Sequence, residues 1–475
     1  MLLKAELTRS LEQAGQLHLC SFINELNAEE QSELIRQIES LDLALLQELI
    51  NNYVLKKPVL DIPSDITPAP FFPLIPRSEA EKTYYQQADA AGETALRAGK
   101  VAALTVAGGQ GSRLGFDGPK GTYPIAPVSG KTLFQYFAES LQSAARKYAA
   151  PIHWYIMTST LNDQPTRDFF AEHNYFGLPA DSVHFFTQGF MPAVGYDGKL
   201  LLSSKGSLAL SPDGPGGTLL ALRKSGMLDD MQDRGVEYLS YFQVDNPLVP
   251  VVDKRFIGLH ILESSQMSAI TLAKTNAFEK VGNFCMVNGK LHVIEYSDLP
   301  EELATAADEN GQLKFIAGSP AIHVISRTFV EKLTASGRLD LDWHRADKKI
   351  KCIDAAGNTV DPAEPNGVKL ESFIFDALPM AEKVVLLEGD RSEVFAPTKN
   401  LTGVDSVDSC RQMISERNAR RLEKAGVTIP RNADGTLDAV IEIDPRAVCD
   451  DDDAAKLVER TGIKAVAPGE KAVLG

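Results

Sequence analysis

Six short apolar or β-rich runs, at residues 101–106, 153–158, 183–186, 238–244, 269–273 and 384–387, punctuate the middle of the chain, with helical patterns such as 132–144 and 217–231 between several of them. Each run is too short to be a helix of ordinary length, and consecutive strands separated by helices are joined by crossovers that leave them parallel. The expected fold class is therefore α/β, with a mostly parallel sheet covered by helices on both faces. A length of 475 residues leaves room for more than this one element, two or three domains in all.

Flanking segments read differently. From about residue 7 to 53 apolar residues recur at three and four (Leu19, Phe22, Ile23, Leu26; Leu34, Ile35, Ile38, Leu41), the spacing of amphipathic helices. Six prolines between Pro58 and Pro76 then predict an extended strap, because proline lacks an amide donor and restricts the residue before it. Helix resumes at about 79–99. Past about residue 395 the pattern breaks into short pieces with turn signals, Asn432-Ala433-Asp434-Gly435 being the clearest, which predicts a small β-containing terminal domain. The tract Asp450 to Asp453 reads as a solvated acidic turn.

Forty-eight Lys and Arg against 64 Asp and Glu leave a formal charge of -16, opposite to what a dedicated nucleic-acid binder needs. An anionic ligand must then be held by a local site. Cys20, Cys285, Cys352, Cys410 and Cys449 are scattered without a C-x-x-C, which argues against a disulfide framework or structural zinc and for a reducing cytoplasm. Charged and polar residues interrupt the first stretch of the chain, so neither a signal peptide nor a membrane anchor is expected there.

The richest chemistry follows the first central run directly, in Leu104-Thr-Val-Ala-Gly-Gly-Gln-Gly-Ser-Arg-Leu-Gly-Phe-Asp-Gly-Pro-Lys120. Glycines at 108, 109, 111 and 115 let backbone approach a ligand and aim N–H groups at anionic oxygens, and Arg113 and Lys120 add positive charge. That combination describes a phosphate cradle, distinct from two better-known loops. The dinucleotide fingerprint fails because Leu114 occupies the place of its third glycine, and Gly130-Lys131-Thr132 fails as a P-loop because Ile125 occupies the place of its first. No H-x-x-H, H-E-x-x-H or G-x-S-x-G pattern occurs.

Ala107-Gly108-Gly109-Gln110-Gly111-Ser112-Arg113-Leu114-Gly115 followed by Pro119-Lys120 resembles the signature of the UTP-dependent sugar-1-phosphate uridylyltransferases, specifically the UDP-N-acetylglucosamine (UDP-N-acetylhexosamine) pyrophosphorylase family. Further segments resemble that family in the same order: Ala14-Gly15-Gln16 to Leu26, Gln188-Gly189, Ser211-Pro212-Asp213-Gly214, Val244-Asp245-Asn246, Glu295-Tyr296-Ser297, Pro365-Asn366-Gly367, and Pro397 with Lys399-Asn400. The resemblance implies a Rossmann-like nucleotidyltransferase core, with a helical N-terminal region at 1–95, a catalytic domain at 96–395 and a small C-terminal domain at 396–475. It implies attack of a sugar 1-phosphate on the α-phosphorus of UTP, giving a UDP-sugar and pyrophosphate, with Mg²⁺ or Mn²⁺.

By the same resemblance, Ala107, Gly108, Gly109 and Gly111 present backbone to the nucleotide, and Arg113 and Lys120 neutralise the departing phosphates. Gln188 reads an edge of uracil, and Gly216 packs near the nucleoside. Asp245, at the end of an apolar strand and hence at the ligand-bearing edge of a parallel sheet, holds the metal. Asn246, Gly282, Glu295, Tyr296 and His323 match sugar-side positions, and Lys369 and Lys399 match late lysines that reach phosphate. One position departs: the family usually carries Asn where this chain has Ser319, whose shorter side chain cannot reproduce an amide. N-acetylglucosamine 1-phosphate is the expected sugar, and glucose 1-phosphate or a broader range of sugar 1-phosphates is the alternative. A catalytically silent sugar-nucleotide sensor and a scaffold acting through its helical arm are the readings from other classes. Neither nucleic acid nor membrane is an expected partner, and monomer and homodimer remain open.

Overall fold

The six runs are strands of one sheet. In the computed structural model, which describes residues 5–57 and 66–475, β1 is Val101–Val106, β2 Trp154–Thr158, β3 Val183–Thr187, β4 Tyr238–Gln243, β5 Met267–Ala273, β6 Gly282–Val287, β7 Ala317–Ser319, β8 His323–Ser326 and β9 Val384–Glu388. These are nine strands of an eleven-stranded sheet in the order β6-β7-β5-β8-β4-β1-β2-β3, with β9 beside β5. From β4 through β1 and β2 to β3 every pairing is parallel, as is β5 with β9, whereas β8 runs antiparallel between β4 and β5. The β1 residues Ala102, Ala103 and Leu104 are fully buried, the continuous apolar pattern of a strand covered on both faces.

The order has a direct consequence for function. From β1 the chain moves to β2 on one side and later returns as β4 on the other, so the carboxyl ends of β1 and β4 flank the place where strand order reverses. Open α/β sheets hold their ligands there. Helices close the faces. The helix Glu79–Arg97 crosses Lys254–Leu262 at backbone contact, because Gly92 and Gly258 offer no Cβ: one at Gly258 would sit 1.7 Å from the Ala88 carbonyl oxygen. Phe134, Phe137, Trp154, Phe170 and Phe242 fill the interior, and the buried Trp154 indole donates to Thr105 Oγ1 at 2.7 Å.

The sheet lies in one of two compact units. That unit comprises residues 63–188, 218–339 and 377–475, and the other comprises 1–62, 189–217 and 340–376. The smaller unit contains the expected amphipathic helices, among them Ala5–Gln13, Ala28–Glu39 and Leu43–Leu49, packed with short strands around Leu11, Leu34, Leu46, Val194, Val368 and Leu370. Of the proline strap, Pro58 and Pro63 lie outside the described residues. Its later part is extended: Thr67–Pro68 pairs with β6, and Phe72 exchanges hydrogen bonds with Leu386 and Glu388. The division into 1–95, 96–395 and 396–475 stays a proposal; Ala396, Val407, Cys410 and Ile414 pack in the main core, and a separate apolar cluster gathers Leu422, Ile441, Ile443 and Leu457.

Two expectations for the last 80 residues need correction. Where the pattern reads as short pieces, an 18-residue helix, Val407–Lys424, is present. It buries Ser415, Arg417 and Asn418 along with Ile414 and Leu422, so no clean apolar period marks it. The acidic tract is the start of a helix, Asp451–Thr461: Asp450 caps it by accepting from the Asp453 amide, and Lys147 pairs with both Asp450 and Asp453. Negative side chains in a first turn are favoured by the helix dipole. The expected β content is present as the parallel pair Ala439–Ile443 and Glu470–Leu474. No helix among the described residues is long and apolar enough to cross a membrane.

Candidate active site

The glycine-rich loop leaves the carboxyl end of β1 and closes on itself. Gly111 N donates to Gly118 O at 2.9 Å and Lys120 N to Gly109 O at 3.0 Å, so Arg113 is carried on an exposed arm and Lys120 returns to the strand ends. Gly111 is required by closeness, since a Cβ there would meet the Phe116 ring at 2.8 Å, and Gly115 by its left-handed φ of 65°. Gly108 faces the Gln188 side chain so closely that a Cβ there would meet its amide at 2.9 Å and make it shift. Gln188 itself follows β3, is 6% exposed and bonds through its backbone to Thr158 O. Ala107, Gly108, Gly109 and Gly111 thus lie on one loop, with the Gln188 side chain against Gly108.

Lys120 also reaches Asp245. Its Nζ is 3.4 Å from Asp245 Oδ2, the two side chains being 17% and 13% exposed. Asp245 stands two residues past β4, and its carbonyl accepts from the Thr398 amide at 2.8 Å, which seats Lys399 beside the same strand end. The Lys399 and Asn400 amides both donate to Asp405 O, at 2.8 and 3.0 Å. Burial pushes the Asp405 carboxyl above its ordinary value, with Lys399 opposing and Asp245 adding to the shift. Asn246 commits most of its amide to the chain, accepting from Ala396 N at 2.9 Å and donating to Val394 O at 2.8 Å, which leaves one N–H for a ligand.

A second group forms where β6 meets β7. Gly282 pairs with Ser319; a Cβ at Gly282 would meet Val293 Cγ1 at 2.4 Å and would lie 3.5 Å from Glu295 Oε1 and 3.8 Å from Ser319 Cβ. Ser319 Oγ is buried and finds no hydrogen-bond partner among the described residues. Tyr296 is exposed beside this trio. His323 is not part of the open surface. It is fully buried against Tyr241 with Nδ1 3.2 Å from Ser268 O, and burial pushes its pKa down to about 4. Gly216 and Lys369 belong to the smaller unit, where Gly216 N donates to Ser372 O and Lys369 lies on the strand Gly367–Glu371.

Two residues escaped the sequence reading. Asn162, just past β2, donates to the carbonyls of Ala107 and Gly109; an Asn directly before a helical segment reads from sequence only as a cap. Lys274, past β5, is 6% exposed beside Gly318 and donates to Asn283 Oδ1 at 2.5 Å, with burial lowering its pKa. Lys131, the lysine of the rejected P-loop ending, is occupied elsewhere, 2.6 Å from Glu139 and 2.9 Å from Asp444.

For a divalent cation the donor set is a single carboxylate. Among the described residues no three His, Cys, Asp or Glu side chains gather into a cage, and Lys120 lies on one oxygen of Asp245. That fits a hard ion of the Mg²⁺ type, which takes one or two carboxylates and completes its shell with water and substrate phosphates.

Similarity to known proteins runs along most of the chain. Residues 73–432 match the family model described as UTP–glucose-1-phosphate uridylyltransferase. The UDP-N-acetylhexosamine pyrophosphorylase-like protein 1 of Xenopus tropicalis is 37% identical over 410 residues, 84% of this chain and 80% of that protein. The UDP-N-acetylglucosamine diphosphorylase 2 of Arabidopsis thaliana is 37% identical over 436 residues, 88% of this chain and 85% of that protein. A crystal structure of the uridine diphosphate N-acetylglucosamine pyrophosphorylase from Trypanosoma brucei matches 100% of this chain and 99% of its own with a TM-score of 0.83, at 24% identity, a likeness of fold.

Proposed function

The chain belongs to the UDP-N-acetylhexosamine pyrophosphorylase family of UTP-dependent sugar-1-phosphate uridylyltransferases, and from that membership we propose that it joins UTP to N-acetylglucosamine 1-phosphate, releasing UDP-N-acetylglucosamine and pyrophosphate. The observation that carries the residue-level reading is the meeting of Lys120 and Asp245 at the ends of β1 and β4, where the strand order reverses.

An oxygen of the sugar phosphate attacks the α-phosphorus of UTP. The bond from that phosphorus to the bridging oxygen breaks, and its electrons leave with pyrophosphate. Two polyanions must be aligned for this, so positioning and charge neutralisation dominate, and no protein nucleophile is needed. Ala107, Gly108, Gly109 and Gly111 bring backbone amides to the nucleotide, and Gln188 reads uracil. Lys120 and Arg113 draw off charge as pyrophosphate departs, with Lys399 as a further cation. Asp245 is the residue that would hold Mg²⁺ or Mn²⁺, which when bound neutralises phosphate oxygens. Gly282, Ser319 and Glu295 take the sugar, with Tyr296 at their edge and one N–H of Asn246 available. The role of His323, which is buried against Tyr241 and Ser268, is carried over from the resemblance alone. Roles for Gly216 and Lys369 are carried over from the resemblance alone.

The unpartnered Ser319 hydroxyl supports a second reading, in which glucose 1-phosphate or other sugar 1-phosphates are also used. Pyrophosphate release from UTP with a panel of sugar 1-phosphates and Mg²⁺ tests both. N-acetylglucosamine 1-phosphate is expected to give the highest kcat/KM, with ATP and GTP poor in place of UTP. A folded sample that binds UTP yet releases no pyrophosphate with any sugar is the sensor, and one that does not bind UTP is the scaffold.

A further inference from the structure

Asn162 stands immediately before the helix Asp163–Glu172, the position at which an asparagine ordinarily accepts from the first amides of its own helix. It makes no such bond. Its side chain, fully buried, turns back toward the sheet edge: Oδ1 accepts from Ser159 N at 2.7 Å and from Ser159 Oγ at 3.0 Å. Nδ2 donates to Ala107 O at 2.9 Å and to Gly109 O at 3.3 Å. The Ser159 bonds settle which way the amide faces, since only the nitrogen end can then meet two carbonyl oxygens.

The consequence lies on the other side of the loop. A trans peptide is planar, with its C=O and N–H opposed. Turning the Ala107 and Gly109 carbonyls toward Asn162 therefore turns the amides of Gly108 and Gln110 away from it. Neither amide donates to a backbone carbonyl among the described residues, and Gln110 is exposed. Lys120 N, also donating to Gly109 O at 3.0 Å, holds the second carbonyl in the same sense.

We propose that Asn162 is the positioning residue of the nucleotide loop, fixing the Ala107 and Gly109 carbonyls so that the N–H groups of Gly108 and Gln110 are preset toward the oxygens of UTP. This rests on the loop being the UTP site. Asn162 touches no reacting atom; it acts through the two peptides it holds. Without it the peptides are free to rotate, and part of the free energy of UTP binding goes into ordering them.

Asn162→Ala and Asn162→Asp, compared with wild type by calorimetric titration of UTP with Mg²⁺ and by initial rates with each substrate varied, test the proposal. Asn162→Ala is expected to raise Kd and KM for UTP about tenfold or more, as misplacement of a few tenths of an ångström to one ångström does in a preset site. KM for the sugar 1-phosphate should move by no more than about twofold on the same argument. In Asn162→Asp the introduced carboxyl donates only when protonated, and burial raises its pKa, so UTP affinity relative to wild type should recover as pH falls from about 8 to about 6. Asn162→Ala should show no such recovery. If Asn162→Ala does not fold, the pH series of Asn162→Asp decides alone. A role confined to folding would lower the active fraction and hence the apparent kcat, leave KM for UTP unchanged and give no pH recovery, and would overturn the proposal. Wild type that binds UTP, with variants of equal affinity, overturns it while leaving the nucleotide site intact. Wild type that binds no UTP removes both.

Discussion

Lys120 Nζ lies 3.4 Å from Asp245 Oδ2, joining the loop after β1 to the end of β4. The pair is mostly shielded from water, and a lone charge so placed would be costly, whereas the two together are not. Each partner is also what an incoming nucleotide and cation need: the ammonium can pass to phosphate and the carboxylate to metal, with the charge of the crevice rebalanced by the ligands. The pair is therefore a resting arrangement of a site for a polyanion and a cation together.

Lys120→Ala and Arg113→Ala are expected to lower kcat on the order of 10²-fold each, since both act most strongly as charge moves onto pyrophosphate. Arg113 is exposed, so its variant should melt with wild type. Asp245→Asn should lose turnover together with the response to Mg²⁺. Steady-state rates across a Mg²⁺ series check all three, and an Asp245→Asn enzyme with an unaltered metal response would remove Asp245 from that role.

Lys131 gives the opposite expectation. It bridges Glu139, whose side chain is 3% exposed, to Asp444 in the C-terminal segment. Lys131→Met takes from Glu139 its nearest cation, leaving Arg446 at 3.8 Å, while Asp444 keeps Arg446 at 2.8 Å, and should cost about 3 kcal/mol of stability, the low end for a broken shielded pair. KM for UTP should stay at its wild-type value. A raised KM for UTP with unchanged urea unfolding would mean that Gly130-Lys131-Thr132 binds phosphate after all.

Acid should weaken the fold through three histidines. Burial pushes His260 down to about 3, and His184 and His323 down to about 4, from an ordinary 6.5. His184 also feels Asp230 raising it and Arg234 and His153 lowering it. All three are neutral when folded and take up protons on unfolding, so the unfolded chain binds more protons in this window. Their stabilisation is complete above about pH 6.5 and is lost as pH falls toward about 4, at most about 2 kcal/mol per histidine near pH 5. Urea midpoints at about pH 7.5 and about pH 5 should differ accordingly, and His260→Gln, which cannot protonate, should reduce the difference. Equal midpoints for wild type would show that these rings titrate normally.

Strand positions were legible because β1, β2, β4 and β5 are largely buried on both faces and read as short apolar or β-rich runs. The helix Val407–Lys424 was not, because Arg417, Asn418 and Ser415 are buried by hydrogen bonds: Arg417 Nη1 donates to Leu248 O and Asn418 Nδ2 to Ile441 O. Sequence pattern registers hydrophobic burial and misses burial of that kind. The same holds at the site. Glycines and charged groups announce a phosphate loop, while Asn162, which shapes it through carbonyls 55 and 53 residues away, looks like any helix cap. Spacing along the chain also gives no sign that Gly282, Glu295 and Ser319 converge, since strand pairing alone brings them together.

Sugar choice should turn on that convergence. Ser319 Oγ has no partner among the described residues, and Gly282, opposite, leaves its side-chain place to Val293 Cγ1, with the Glu295 carboxylate next to it. A site that hydrogen-bonds a substrate group rejects the analogue lacking it, because its own buried polar atoms are then left unpaired. Serine, with one short hydroxyl that water can also satisfy, imposes a smaller penalty than an amide would. The wild type should accordingly use more than one sugar 1-phosphate, N-acetylglucosamine 1-phosphate best. Ser319→Asn extends a donor and an acceptor farther out on the sugar side than the serine hydroxyl reaches, and should raise the kcat/KM ratio for N-acetylglucosamine 1-phosphate over glucose 1-phosphate, by about tenfold for one added hydrogen bond. Rates with the two sugars at saturating UTP measure that ratio. A ratio unmoved by the substitution, or a wild type already strict for one sugar, would place the determinant on another sugar-side residue, with the Glu295 carboxylate the first to change.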